Sequence, residues 1–135
     1  MDRLLGDSCC PKEMSTAALA FIGDAVYSLL VREQLCCSGR WKADVLHKRA
    51  VEMVRCKAQA DAMERVMDIL SDEEKAVFMR GRNSHTAHIP KHAAVADYRA
   101  ATGMEALMGY LYLSGRIERV RELYLIISQE KQALS

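Results

Sequence analysis

A chain of 135 residues fits one domain and can bury a core without disulfide or metal staples. Half of it is apolar but only 6% is aromatic, and there are just two prolines, Pro11 and Pro90, so an all-α fold is expected. A formal net charge of +1 excludes a uniformly basic surface, and any contact with a polyanion must come from local clustering of cations.

Residues 1–13 read as a lead-in of low structural commitment. Ser15 and Thr16 can cap a helix start by accepting from free backbone N–H groups. The stretch from Ala17 to about Leu35 then reads as one helix, apolar on nearly every face up to Val31, the pattern of a central, buried helix. Gly39 lies in the turn that ends it. From about Lys42 to Leu70, Leu46, Ala50, Met53, Cys56, Ala60, Met63, Met67 and Leu70 follow at steps of three and four. They make one apolar seam, with Glu52, Arg55, Gln59 and Glu64 opposite. The length suggests two consecutive helices with a bend near Lys57.

Ser71-Asp-Glu-Glu74 has the form of a capping box, so a short helix is expected to about Met79. Residues 80–92, RGRNSHTAHIPKH, lack apolar periodicity and read as a loop. Helical pattern resumes near Ala93 and runs to Leu113, closed by Ser114-Gly115. A last helix spans Arg116 to about Glu130. No repeat, linker or second domain is read, and residues 1–135 are expected to form one domain.

The five cysteines, Cys9, Cys10, Cys36, Cys37 and Cys56, show no zinc-type spacing. No signal peptide is read, and the longest apolar run is broken by Asp24 and Ser28, which argues against a membrane span. Reduced thiols in a cytoplasm are the expectation.

Asp24 is the sharpest feature. It sits in the most apolar helix, beside Gly23, and an unpaired carboxylate buried there is costly unless it is paired, protonated or bound to a cation. Glu105 repeats the arrangement as a lone acid between Gly103 and Gly109. Small residues let helices approach closely, so the two helices can cross with both carboxylates facing one site. Carboxylate oxygens are hard ligands suited to Mg²⁺. The alternative reading is that both acids serve structural ion pairs or caps.

These residues resemble a family. FIGDAVYSLLV (21–31) and MEALMGYLYL (104–113) are similar to the two signature segments of ribonuclease III. LHKRAV (46–51), KAQA (57–60), RGRN (80–83), PKHA (90–93) and DYRAATGMEAL (97–107) resemble its Mini-III branch, over roughly residues 15–125. The resemblance implies a homodimer of the helical catalytic domain alone, without a double-stranded-RNA-binding domain. It implies Mg²⁺-dependent cutting of both strands of duplex RNA and maturation of the 23S rRNA precursor, with a ribosomal protein that presents the rRNA compatible with it. Asp24 aligns with the catalytic Asp and Glu105 with the metal-binding Glu. Two further acids of full-length ribonuclease III are replaced by Ala20 and Thr102. Asp97 is a candidate substitute, but eight residues place it about 80° from Glu105 around a helix.

Duplex RNA is held largely through shape, phosphates and 2′-hydroxyls. Arg80 and Arg82 can fork onto phosphates, Asn83 can bond a 2′-hydroxyl and Lys91 adds a point charge. His47 and Lys48 begin a second basic group. Arg99 can reach a phosphate or pair with Asp24. His85, His88 and His92 form a weak candidate metal cluster, and Trp41 reads as a packing residue. Two rival functions stay open: a non-catalytic double-stranded-RNA-binding dimer, and an all-α nucleotide pyrophosphohydrolase, which favours clustered acids that this chain lacks.

Overall fold

The structure, a computed structural model, describes residues 3–6, 8–84 and 94–133. Among the described residues six helices follow in order: α1 (Thr16–Cys37), α2 (Ala43–Met53), α3 (Cys56–Val66), α4 (Asp72–Arg82), α5 (Val95–Leu113) and α6 (Ile117–Ala133). Single 3-10 turns occupy Pro11–Glu13 and Met67–Ile69, and there is no strand among the described residues. The all-α expectation holds.

The central helix is α5, not α1. From Gly103 to Leu111 every residue of α5 except Glu105 is buried, because α1, α3, α4 and α6 all pack around it. A helix hydrophobic all round belongs in that position. α1 is buried along one stripe only, Leu19, Gly23, Tyr27, Val31 and Leu35, at successive steps of four. Its outer face stays open: Phe21 is 83% exposed and Leu29 59%. The sequence expectation of a buried α1 is therefore corrected. Apolar residues all round a helix say that something covers it, and among the described residues Phe21 and Leu29 stay exposed on that face.

Glycines set the closeness of the α1–α5 crossing. A Cβ added to Gly23 would lie 1.6 Å from the Glu105 carbonyl oxygen, and one added to Gly109 would lie 2.0 Å from the Leu19 carbonyl oxygen. The two backbones touch directly, and the helices run antiparallel, 19 opposite 109 and 23 opposite 105. Ser15 starts α1 as expected, its hydroxyl accepting from Ala18 N–H at 3.1 Å.

The long seam of residues 42–70 does split into two helices. The break falls at Val54–Arg55, where the backbone leaves the helical region, slightly before the expected bend near Lys57. Neither Gly nor Pro causes it. Gln59, placed on the polar side by its spacing, is instead only 3% exposed, and its amide donates to the Val54 carbonyl at 2.8 Å. A buried side-chain donor thus satisfies a carbonyl that the helix break leaves without its usual partner.

The capping box of α4 forms in full: Glu74 N–H donates to the Ser71 hydroxyl at 3.1 Å, and Ser71 N–H donates to the Glu74 carboxylate at 2.8 Å. Glu74 is buried and receives two hydrogen bonds from Arg119 of α6, each 2.8 Å. Arg119 also donates to the Ile69 carbonyl at 2.7 Å, so one guanidinium ties α6 to the start of α4. Breaking such a pair from one side costs about 3–5 kcal/mol, because a buried charge is left uncompensated.

α4 runs to Arg82 rather than ending near Met79, so Arg80-Gly81-Arg82 is the last helical turn and not a loop. Gly81 carries the turn past α5: a Cβ there would lie 2.8 Å from the Gly103 Cα. Periodicity failed here because a glycine needed for close packing reads like a breaker. Gly115, with φ +77°, ends the turn between α5 and α6.

Candidate functional site: a carboxyl pair at the helix crossing

The α1–α5 crossing brings Asp24 and Glu105 close enough for their carboxyl groups to act on one another. Glu105 is the member of the pair whose ionisation is disfavoured. Burial is the largest cause of its shift, followed by the Asp24 carboxylate beside it, and its pKa is pushed up from the ordinary 4.5 to about 8. Asp24 itself is exposed, not buried. The expectation of a costly buried Asp24 is thus corrected: Glu105 is half-buried, and Asp24 faces outward beside it.

The replaced acids leave the pair alone. Ala20 is half-buried against the core, and the Thr102 hydroxyl is spent on its own helix, donating to the Tyr98 carbonyl at 3.0 Å. Asp97 lies half-buried in the first turn of α5, about 12 Å along the axis from Glu105. Among the described residues no group of three or more His, Cys, Asp or Glu is arranged to hold a metal.

The expected RNA contacts are scattered rather than gathered. Arg80 and Arg82 are exposed in the last turn of α4 with Asn83 as its C-cap, where cations also favour the negative end of the helix dipole. His47 and Lys48 are exposed on α2, and Arg99 is exposed near the start of α5. Arg49 stacks over Trp41 at 4.4 Å, and the Trp41 indole N–H donates to Ser38 at 3.3 Å, so Trp41 serves packing as expected. Lys91, His85, His88 and His92 lie outside the described residues. Cys9, Cys10, Cys36 and Cys37 are exposed free thiols. No helix among the described residues is long and apolar enough to cross a membrane.

One cluster was not legible in the sequence. The Tyr110 hydroxyl donates to Glu73 of α4, and Arg116 donates to the same carboxylate at 3.2 Å. Together these hold the Glu73 carboxyl below its usual pKa, the Tyr110 hydrogen bond being the largest cause. Lys12 and Arg80 line the hollow beside them. These residues come from four places in the chain, and no local spacing marks them.

A helical domain with two acids at a glycine-lined crossing defines the class, and the comparison with known proteins agrees: the ribonuclease III domain family matches residues 17–116. A Mini-ribonuclease 3 of Thermoanaerobacter is 47% identical over 110 residues, covering 82% of this chain and 78% of its own. That of Brevibacillus brevis is 46% identical over 113 residues, covering 84% of each. That of Enterococcus faecalis is 42% identical over 114 residues, covering 83% and 86%. A crystal structure of a Fusobacterium nucleatum protein superposes with a TM-score of 0.80 at 28% identity, covering 88% of this chain and 95% of that one. The chain belongs to the ribonuclease III family, in its Mini-ribonuclease 3 group.

Proposed function

We propose that this chain is an endonuclease that hydrolyses double-stranded RNA with Mg²⁺, acting in the cytoplasm as a homodimer of one domain spanning residues 1–135. Its natural substrate on this reading is the 23S rRNA precursor, with a ribosomal protein as a further candidate partner. The observation that carries the reading is the close α1–α5 crossing at Gly23 and Glu105, which sets the Asp24 and Glu105 carboxyl groups beside one another.

The pair fits a divalent cation. Two carboxyl groups at close range cannot both be ionised without a counter-charge, and the raised pKa of Glu105 reflects this. Asp24 and Glu105 would hold a hard divalent ion through their carboxylate oxygens, and its binding would compete with protons. Asp24, exposed beside it, presents oxygens to the substrate side. When bound, the ion supplies a water of lowered pKa and offsets charge on the phosphodiester. With Ala20 and Thr102 in place of acids, the chain provides two carboxylates, and waters and RNA phosphates complete the shell. Arg80, Arg82, Asn83, Lys91, His47, Lys48 and Arg99 supply the contacts to the duplex backbone.

Dimerisation is supported by the open face of α1. Phe21 and Leu29 project from it, next to a hollow of about 320 Å³ lined by Ile22, Val26, Leu30, Tyr112, Ile117 and Val120. A contiguous apolar surface of this kind marks an interaction site.

The test is incubation of the protein with a long RNA duplex, with and without Mg²⁺, beside Asp24→Asn. Metal-dependent cutting that the substitution lowers by at least about 100-fold supports the reading. Duplex binding without cutting supports the binding-only dimer. Hydrolysis of nucleoside triphosphates with no action on RNA supports the pyrophosphohydrolase.

A further inference from the structure

The cluster around Tyr110 opens onto two adjoining hollows. One, of about 430 Å³, is lined by Arg3, Lys12, Tyr110 and Arg116 among others. The next, of about 330 Å³, is lined by Lys12, Glu73, Arg80 and Tyr110 with two apolar residues. Lys12 and Tyr110 belong to both, so the hollows are continuous. Their walls carry four cationic side chains, Arg3, Lys12, Arg80 and Arg116, and one acid, Glu73. Lys12, Arg80 and Arg116 against Glu73 leave a local excess of +2 in a chain whose total is +1. Such a local excess of positive charge attracts a polyanion.

The patch is also built rather than loose. Tyr110 is buried in α5 with its hydroxyl fixed on Glu73. Arg116 is held over the Tyr110 ring at 6.0 Å and on Glu73 at 3.2 Å. Lys12 stands on the Pro11–Glu13 turn, close enough to act electrostatically on Glu73, and Arg80 acts likewise on Tyr110. One carboxylate fixes the geometry but cannot neutralise Lys12, Arg80 and Arg116 together. Tyr110 follows Glu105 by five residues, about 7.5 Å along the axis and rotated about 140° around it. The patch therefore lies on another side of α5 from the carboxyl pair and is separate from it, at a rise that is short beside the length of an RNA duplex.

We propose that Lys12, Arg80 and Arg116, set around Tyr110 and Glu73, form an accessory phosphate site that holds the RNA backbone to one side of the cut. It rests on the duplex-RNA reading above. The site explains how a nearly neutral chain with no further domain in these residues can hold a polyanion: a few cations are concentrated where one rigid ring and one carboxylate position them. Glu73 has a double part, orienting Arg116 and weakening the net field.

Metal-free binding of a labelled RNA duplex, measured by fluorescence anisotropy across a salt series, tests this without cutting. Lys12→Gln, on an exposed turn, is expected to lower the log–log salt slope by about one and weaken binding about fivefold at low salt. Lys12→Arg restores both. Glu73→Gln keeps an acceptor for Tyr110 but removes the opposing charge, and is expected to tighten binding. Opposite signs for the two Gln variants, with unchanged melting temperature for Lys12→Gln, support the site, since a purely structural role gives both the same sign. Wild-type binding with an unaltered slope in Lys12→Gln, or weaker binding in Glu73→Gln, overturns it. Wild-type protein that does not bind duplex RNA overturns the functional reading beneath it, and the site with it.

Discussion

Glu105→Gln isolates the energetics of the carboxyl pair. The raised pKa means that folded protein binds the Glu105 proton more tightly than unfolded protein does. Stability from this group is therefore fully present below pH 4.5 and is lost as pH rises from 4.5 to about 8, after which it is flat. A shift of that size corresponds to a ceiling of about 5 kcal/mol at 1.36 kcal/mol per unit. For a domain of this length about 1 kcal/mol moves the melting temperature by about 3–4 °C, so the ceiling is about 15 °C and even a third of it is about 5 °C. Gln mimics the protonated acid, donating from its amide to Asp24, and does not titrate. The expected result, in chelator, is a difference in melting temperature between Glu105→Gln and wild type that is small near pH 5 and grows in favour of the variant toward pH 8.5. Subtracting the two curves removes every other titrating group. Saturating Mg²⁺ is expected to close the gap by stabilising only the wild type, through ligand linkage. A difference that stays constant from pH 5 to 8.5 refutes the reasoning, because it means that the proton on Glu105 is not coupled to the fold.

Two further substitutions test the crossing and the open face. Gly23→Ala sets a Cβ 1.6 Å from the Glu105 carbonyl oxygen, and backbone on backbone cannot yield as a side chain can, so a loss of about 3 kcal/mol or more is expected in urea melts; a variant within about 0.5 kcal/mol of wild type shows that α1 and α5 do not touch here. Phe21→Glu places a charge on the apolar face of α1. Light scattering is expected to give about twice 15.2 kDa for wild type and a monomer for the variant, with the helical circular dichroism retained; a wild-type monomer at micromolar concentration removes the dimer.

Helix positions were largely readable from the chain. Ser15 and the Ser71–Glu74 box are local signals that act through the nearest turn, and both cap as read. The break between α2 and α3 was located only roughly, because neither Gly nor Pro marks it and the Gln59 contact that satisfies the freed Val54 carbonyl is one that spacing does not announce. The end of α4 was misplaced because Gly81 looks like punctuation and acts as a packing surface.

The sequence by itself determined the all-α class, the caps, and the two lone acids beside glycines, since these depend on residue type and on neighbours within a turn. Tertiary structure decided which helix is central, that Glu105 rather than Asp24 bears the burial, and that Lys12, Arg80, Tyr110, Glu73 and Arg116 share one surface. Burial and electrostatic field are sums over everything within several ångströms, and those neighbours come from distant parts of the chain. A pattern along the chain can name a charge, but only the packing of the other helices fixes what that charge faces.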